Sequence, residues 1–99
     1  METYYGLLSL RLCNIGSKSE GTYALLTLED GKEYVLYRKD TYPADDAFFS
    51  SYDAQHLGVR GVIEAEGNNL LVEALILPDG TEICPPEKII EESKEIIYE

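Results

Sequence analysis

The alternation of apolar and polar residues divides the chain into five strand-like segments, with one short helical patch between the third and the fourth. Alternation with a period of two is typical of a strand with one buried face, whereas apolar residues at every third or fourth position are typical of a helix. The sequence therefore predicts a mainly β fold. The predicted strands cover residues 3–13, 22–29, 33–38, 56–66 and 69–77, and the helical patch covers 44–52.

Chain length limits the number of domains. With 99 residues, the chain has the usual size of one domain and is too short for two. A domain of this size buries about 60–65% of the surface that its unfolded chain exposes, which fills one interior and leaves no deep substrate cavity. We predict a β domain over residues 1–84, followed by an acidic amphipathic tail over 85–99.

The turn between the second and third segments has the clearest local signal. Asp30-Gly31 separates two alternating apolar runs and predicts a two-residue hairpin loop with positive φ. Such a loop pairs Glu29 with Lys32 and fixes the register of both strands. In that register one face of the hairpin carries Tyr23, Leu25, Thr27, Tyr34, Leu36 and Arg38.

Glycines interrupt the two longest segments. Gly6 lies early in the first segment, where a small closed sheet needs a bend so that its long first strand can pair with two sets of neighbours. Gly58 and Gly61 offer bends in the fourth segment in the same way. Gly6 also fits a plain loop, so the pattern leaves two interpretations open there.

The helical patch begins at Pro43. Ala44, Phe48 and Tyr52 recur every four residues, and two aspartates follow Ala44, where the first turn of a helix favours negative charge. We expect this helix to plug one end of a barrel formed by the strands.

The tail after the Pro85-Pro86 pair has a helical spacing of isoleucines among glutamates. It predicts a short C-terminal helix over 87–99, with an edge strand over 95–99 as the alternative. The apolar stripe either docks on its own domain or contacts another chain. The stripe consists of Ile89, Ile90, Ile96 and Ile97.

The order of three strands, a helix and two strands resembles the OB-fold superfamily, with Asp30-Gly31 in the middle hairpin and Val-Arg-Gly-Val at 59–62 in the fourth strand. The resemblance covers about residues 3–77 and implies a five-stranded OB-fold-like barrel. It also implies a ligand face on strands two and three, between loops 14–21 and 66–69. Another small barrel, such as an SH3-like one, is the alternative. No signature selects a functional family within the superfamily.

Charge favours some partners over others. The chain has 19 Asp and Glu residues against 8 Lys and Arg residues, for a formal net charge of -11. Such a field repels nucleic-acid phosphates and anionic lipid and attracts basic surfaces. The sequence thus predicts a non-catalytic acidic module that binds a basic protein, as a monomer or small homo-oligomer. Charge that serves only solubility is the simpler interpretation.

Two alternatives involve nucleic acid. One is an inhibitor that mimics nucleic-acid charge and occupies the cationic site of a nucleic-acid-handling protein. The other is single-stranded nucleic-acid binding on the face of strands two and three, where rings and cations supply part of a stacking groove. The candidate binding residues on that face are Tyr23, Tyr34, Leu36 and Arg38, and those in the tail are the four isoleucines. Arg11 and Arg60 point outward and are expected to pair with glutamates rather than bind an anion.

No residue pattern predicts catalysis. His56 is the single histidine, and no serine or cysteine nucleophile motif or glycine-rich phosphate loop accompanies it. Asp40, Asp45 and Asp46 lack the spacing of a calcium loop. We therefore expect no enzyme activity, no metal and no cofactor.

Cysteines and hydropathy bear on location. Cys13 and Cys84 lie far apart without a CxxC spacing, which predicts free thiols, although a bridge is geometrically feasible in an exported protein. No segment approaches the ~20 apolar residues of a membrane helix, and the N-terminus does not resemble a signal peptide. We expect a cytoplasmic protein with no membrane association. Secretion is the alternative if a signal peptide was removed.

Overall fold

The computed structural model describes residues 1–86, which form a mainly β domain with one 3₁₀ helix over Ala47–Tyr52. The predicted mainly β class is confirmed, and a short sixth strand was not anticipated. The tail helix and its four isoleucines lie outside the described residues. The strands are β1 (Glu2–Cys13), β2 (Gly21–Leu28), β3 (Glu33–Tyr37), β4 (Gln55–Ile63), β5 (Asn69–Ile76) and β6 (Glu82–Ile83).

The strands form one sheet in the order β3-β2-β1-β4-β5-β6. Neighbours in this order are antiparallel, and a parallel pairing of β3 with β5 joins the sheet into a ring. Val35 lies opposite Asn69 in that closing pair. This small antiparallel domain is compatible with an OB-like fold.

Gly6 lies where β1 changes partners. It is opposite Leu28 on β2 and also opposite Leu57 on β4. A Cβ at this position would collide with the carbonyl oxygen of Thr27, so the close approach of β1 and β2 requires glycine. Gly6 therefore belongs to a strand, and the loop interpretation is wrong. Gly61 follows a register shift in the pairing of β4 with β5, at one of the positions where the sequence predicted a bend.

The interior is filled by alternate residues of the strands. The fully buried side chains of the strands come from β1 to β5, and Phe49 of the 3₁₀ helix joins them with no exposed surface. The segment after the helix docks on β1, because Ala54 N donates to Leu8 O at 2.8 Å and Leu10 N donates to Asp53 Oδ1 at 2.9 Å. The interior strand residues with no exposed surface are Leu8, Leu26, Leu36, Val59, Leu70 and Leu75.

The helix is shorter and tighter than predicted. It begins at Ala47 because Asp46 caps it, accepting a hydrogen bond from Phe48 N at 3.0 Å. Asp45 instead has a φ of 59° and bonds to β2, donating from its N to Thr22 O at 2.7 Å and accepting from Thr22 N at 2.9 Å. These contacts hold Ala44 and Asp45 in a turn, so the predicted helix start at residue 44 is wrong.

The hairpin between β2 and β3 has a three-residue loop. Gly31 N donates to Leu28 O at 2.9 Å, Leu28 N donates to Lys32 O at 2.8 Å, and Gly31 has a φ of 91°. Asp30 stabilises the turn by accepting from Lys32 N at 3.0 Å. The predicted two-residue loop and its pairing of Glu29 with Lys32 are therefore wrong.

The extra loop residue shifts the register by one position. Leu26 is opposite Tyr34, and Leu25 is opposite Val35. Tyr34 and Leu36 consequently lie on the interior side of the hairpin, whereas Tyr23, Leu25 and Thr27 lie on the outward side. The shared face predicted for these residues does not form.

Candidate binding groove between two hairpin turns

A second hairpin turn repeats the geometry of the first. The first turn is residues 28–32 (Leu-Glu-Asp-Gly-Lys), and the second is residues 77–81 (Leu-Pro-Asp-Gly-Thr). In the second, Gly80 N donates to Leu77 O at 2.8 Å, Leu77 N donates to Thr81 O at 2.9 Å, and Thr81 N donates to Asp79 Oδ1 at 2.9 Å. Gly80 has a φ of 92°. The shared Leu-x-Asp-Gly sequence thus produces the same turn twice.

The sheet register places the two turns on opposite sides of the β1–β4 pair. Leu28 is opposite Gly6, Gly6 is opposite Leu57, and the second turn begins just after the pairing of Gly58 with Ile76. From β2 to β5 there are three inter-strand steps through β1 and β4 but only two through β3, so the sheet curves between the two turns. Both turns therefore begin near the level of Tyr5 and Gly6 on β1.

A groove of about 700 Å³ lies between the two turns, and we call it the hairpin groove. Its polar lining includes Thr27, Glu29 and His56. His56 is exposed and lies opposite Leu7. Most of the lining is apolar, so the groove offers surface that a partner can cover favourably. Leu57 of the lining is buried, and Leu28 and Leu77 also pack against the core. The larger apolar lining residues are Tyr5, Leu7, Leu28, Leu57, Ile76, Leu77 and Pro78.

Tyr5 lies on the floor of the hairpin groove. It is opposite Gly58, and a Cβ on Gly58 would come within 2.7 Å of the tyrosine ring. The missing side chain of Gly58 thus makes room for the ring against the backbone of β4. Tyr5 nevertheless remains 65% exposed. An exposed phenol ring can contact apolar groups or the cation of a lysine or arginine.

The first turn contributes one carboxylate to the lining of the hairpin groove, and the second turn has one next to the lining. Glu29 lines the groove at the first turn with Asp30 next to it, and Asp79 lies at the tip of the second turn. Hydrogen bonds from Thr81, chiefly from its backbone N–H, lower the pKa of Asp79, so this carboxylate stays charged at neutral pH. Lys32, the last residue of the first turn, is exposed. The groove therefore combines a mainly apolar floor with an acidic rim at Glu29, and Asp79 lies next to the lining residues Pro78 and Gly80 at the second turn.

Within residues 1–86, every arginine is neutralised by a carboxylate, whereas no lysine forms an ion pair. The shortest distances between arginine nitrogens and carboxylate oxygens range from 2.6 to 3.2 Å. The prediction that Arg11 and Arg60 pair with glutamates is confirmed. The pairs are Arg11 with Glu33, Arg38 with Asp46, and Arg60 with both Glu73 and Glu82.

The residues predicted to bind on strands two and three are not brought together. Tyr23 is only 6% exposed, and its hydroxyl donates to Ser19 O at 2.6 Å. Leu36 is fully buried, and Tyr34 packs against the core from the interior side. Arg38 is held by two 2.8 Å hydrogen bonds to Asp46. These four residues have structural contacts, and their side chains do not form one exposed surface.

The outward face of β2 and β3 is covered by an ion pair. Arg11 is opposite Tyr23, and Glu33 is opposite Thr27, so the 2.6 Å contact between Arg11 and Glu33 passes the position of Leu25. Leu25 faces outward yet is only 8% exposed. The hydrogen bond from Arg11 lowers the pKa of Glu33. We call this surface the covered face.

A tyrosine and a glutamate meet where β3 and β5 join the ring. The Tyr37 hydroxyl donates to Glu64 Oε2, and Asn69 Nδ2 donates to Glu64 Oε1 at 3.1 Å. The hydrogen bond to Glu64 raises the pKa of Tyr37 to about 12 and lowers that of Glu64. This cluster links β3 to the start of β5, and the sequence patterns did not indicate it.

Metal ligands, thiols and apolar helices are the remaining features to describe in residues 1–86. Residues 1–86 contain no group of three or more His, Cys, Asp or Glu side chains placed to hold a metal ion. Cys13 and Cys84 are both free thiols. Among the same residues, no helix has the length and apolar content needed to cross a bilayer.

Comparisons of the chain with protein-family models, with curated proteins and with solved structures give no significant match. Function is therefore inferred from the chemistry of the hairpin groove.

Proposed function

We propose that this chain is a non-catalytic binding module that recognises a basic surface of another protein through the hairpin groove. The observation that carries the proposal is the combination of a mainly apolar floor with the Glu29 carboxylate in the lining and Asp79 next to the lining residues Pro78 and Gly80. Glu29 and Asp79 form no ion pair within residues 1–86. A partner with apolar side chains next to lysine or arginine complements both features.

The two features have different energetic roles. Covering an exposed Leu, Ile or Tyr side chain is worth about 1.5–3 kcal/mol when burial is complete. An exposed charge pair is worth about 0–1 kcal/mol and is screened by salt. The apolar floor therefore supplies most of the affinity, and the acidic rim selects cationic partners and accelerates their association.

We also propose that the ring is an OB-type barrel. Going round the ring, the order is β1-β2-β3-β5-β4, and the 3₁₀ helix lies between β3 and β4. A five-stranded, partly open barrel fits this connectivity. OB-type barrels usually bind ligands on the face of strands two and three, which corresponds here to the covered face. The hairpin groove is lined instead by β1, β4 and the ends of β2 and β5.

The test compares three labelled probes by fluorescence anisotropy: a lysine–leucine peptide, a glutamate–leucine peptide of the same pattern, and a short single-stranded oligonucleotide. We expect the lysine–leucine peptide to bind at low salt and to weaken as salt rises. Binding of the oligonucleotide in its place would contradict the proposal and support the nucleic-acid alternative.

Two charge-reversal variants locate the site. Glu29→Lys changes the rim of the groove, whereas Glu66→Lys makes the same change in an exposed turn outside it. We expect Glu29→Lys to weaken binding of the lysine–leucine peptide about five- to tenfold, which corresponds to about 1 kcal/mol. Glu66→Lys is the matched control. Equal losses in the two variants would mean that net charge, rather than the groove, attracts the peptide.

A further inference from the structure

We infer that the open edge of β1 over residues 2–5 takes an extended segment of the partner, bearing lysine or arginine, which adds to the sheet as a further strand. This inference rests on the proposed function, because it assumes a basic partner and specifies how the partner's main chain binds. It is carried by the pairing of β1, by the direction of its main-chain groups and by a cavity beside the edge.

Strand β1 has a neighbouring strand on only one side over residues 2–5. Its pairing with β4 runs from Glu2 to Leu8. Its pairing with β2 begins only at Gly6, because the chain leaves β1 after Leu28 and enters the first hairpin turn. Within residues 1–86, no strand therefore pairs with residues 2–5 on the side of β2. The open edge is about 13 Å long.

The main-chain groups of alternate residues point out of this edge. Leu8 O accepts a hydrogen bond from Ala54 N at 2.8 Å, so the even-numbered residues of β1 direct their main-chain groups towards β4. Thr3 and Tyr5 consequently direct theirs towards the open side. Within residues 1–86, neither of their N–H groups donates to a turn or a loop. Such an edge is a template for one more strand, whereas a helix has already used its main-chain groups internally.

A second cavity, of about 440 Å³, lies along the open edge, and we call it the edge cavity. Tyr5, Leu28 and Glu29 line both the edge cavity and the hairpin groove, so the two sites are continuous. The residues that line the edge cavity are Thr3, Tyr4, Tyr5, Leu28, Glu29 and Asp30.

The lining of the edge cavity favours a cation on the added strand. Glu29 and Asp30 are exposed and form no ion pair within residues 1–86. Tyr5 presents a ring to the same cavity and is 65% exposed. Lys32 does not line the cavity. Carboxylates next to a ring attract lysine or arginine through both charge and a cation–π contact, so we expect such a residue on the face of the added strand that adjoins Tyr5.

Charge distinguishes a basic partner from two other occupants of the edge. A second copy of this chain would bring together two edges that each carry Glu2, Glu29 and Asp30, with like charges opposed. The C-terminal segment 87–99 carries five glutamates and two lysines, so its charge also opposes that of the edge. The inferred occupant is therefore a segment of a basic partner.

The experiment uses the full chain and three versions of one labelled peptide in which lysine and leucine alternate. One version is unmodified, one is N-methylated at every lysine, and one is N-methylated at every leucine. Only alternate N–H groups of an added strand face β1, and the preference of lysine for the side of Tyr5 determines which set does so. We expect the affinities of the two methylated versions to differ by about tenfold or more, because only one of them loses the main-chain hydrogen bonds.

The two methylated versions have the same side chains, so recognition through side chains alone gives them equal affinities. Equal affinities would overturn the strand inference while leaving the proposed function intact, provided that the unmodified peptide binds. If the unmodified peptide does not bind, both fail.

A substitution in the protein tests the edge from the other side. Thr3→Pro removes an N–H that points to the open side and keeps the bonds between β1 and β4, which come from even-numbered residues. We expect Thr3→Pro to weaken binding of the unmodified peptide about tenfold. Thr3→Ala changes the side chain but keeps the N–H, and it should bind as the parent does. Equal affinities of the two variants would overturn the inference.

Sedimentation equilibrium without peptide tests the second copy as the occupant. We expect the parent chain and Thr3→Pro to have the same molecular mass in solution. A dimer of the parent that Thr3→Pro dissociates would mean that a second copy occupies the open edge, and the inferred occupant would then be wrong.

Discussion

The covered face and the hairpin groove are two outward surfaces that share strand β1, yet one is closed and the other is open. On the covered face, Arg11 reaches Glu33 across Leu25, which keeps only 8% of its surface exposed. In the groove, Tyr5 remains 65% exposed, and Glu29 forms no ion pair within residues 1–86. The comparison teaches that an acidic, tyrosine-rich composition does not locate a binding surface. The two surfaces differ in whether their charged side chains form ion pairs within the same domain.

The largest effect is expected at Gly6, where β1 pairs with both β2 and β4. Gly6→Ala places a Cβ against the carbonyl oxygen of Thr27, and backbone must move to accommodate it. We expect a loss of about 3 kcal/mol in the free energy of unfolding, measured by urea denaturation. Ser9→Ala, in the same strand, is the control and should stay within about 0.5 kcal/mol of the parent. A small loss for Gly6→Ala would show that β1 tolerates a side chain where it changes partners.

The two hairpin turns offer a matched pair of substitutions. Gly31 and Gly80 have φ values of 91° and 92°, and a Cβ at either position meets no other atom within 4 Å. Gly31→Ala and Gly80→Ala should therefore each cost about 1–2 kcal/mol from backbone conformation alone. Thermal unfolding of the two variants measures the difference. Clearly unequal costs would argue against the equivalence of the two turns.

The openness of the groove can be tested by filling it. Gly58 leaves room for the Tyr5 ring, and Gly58→Ala brings a Cβ within 2.7 Å of that ring. Because the ring is the exposed end of a side chain, we expect it to move aside at a cost of about 1 kcal/mol. Near-ultraviolet circular dichroism should report the changed tyrosine environment, and lysine–leucine peptide binding should weaken. An unchanged affinity would mean that the position of Tyr5 does not matter to the ligand.

The smallest effect concerns the ion pair on the covered face. The pKa of Glu33 is lowered by Arg11, so the pair stabilises the folded state above the ordinary glutamate pKa and loses this effect as the pH falls through the lowered value. Both groups are exposed, and we expect only a slight loss for Glu33→Gln at neutral pH, which disappears in acid. Unfolding measured across the acid range checks this. A loss that persisted at low pH would indicate packing of the glutamate stem instead.

The strands were predictable because alternation reports which face of a segment is buried. The register of the first hairpin was not, since Asp30-Gly31 fits both a two-residue and a three-residue loop, and a single extra residue moves every side chain to the other face. The extra loop residue places Tyr34 and Leu36 on the opposite face from Tyr23, so the predicted binding surface does not form. The start of the helix was misplaced because Asp45 bonds to β2 through contacts distant in sequence.

The hairpin groove was not predicted because its lining comes from segments that lie far apart along the chain. A signal was nevertheless present, since Leu-x-Asp-Gly occurs at 28–31 and again at 77–80, each time at the end of an alternating run. A repeated turn sequence implies two similar corners of a sheet. Only the pairing of β1 with β4 brings those corners to the two sides of one surface.

The repetition of the turns also affects whether the surface can distinguish the two chain directions of a ligand. Strands β2 and β5 run in opposite directions, so the two turns that follow them point to opposite ends of the β1–β4 pair. An elongated ligand between the turns would therefore contact nearly the same turn geometry in either chain direction. The two chain directions of the ligand can be distinguished only where the two turns differ. The clearest difference is that the second turn has Pro78 where the first has Glu29.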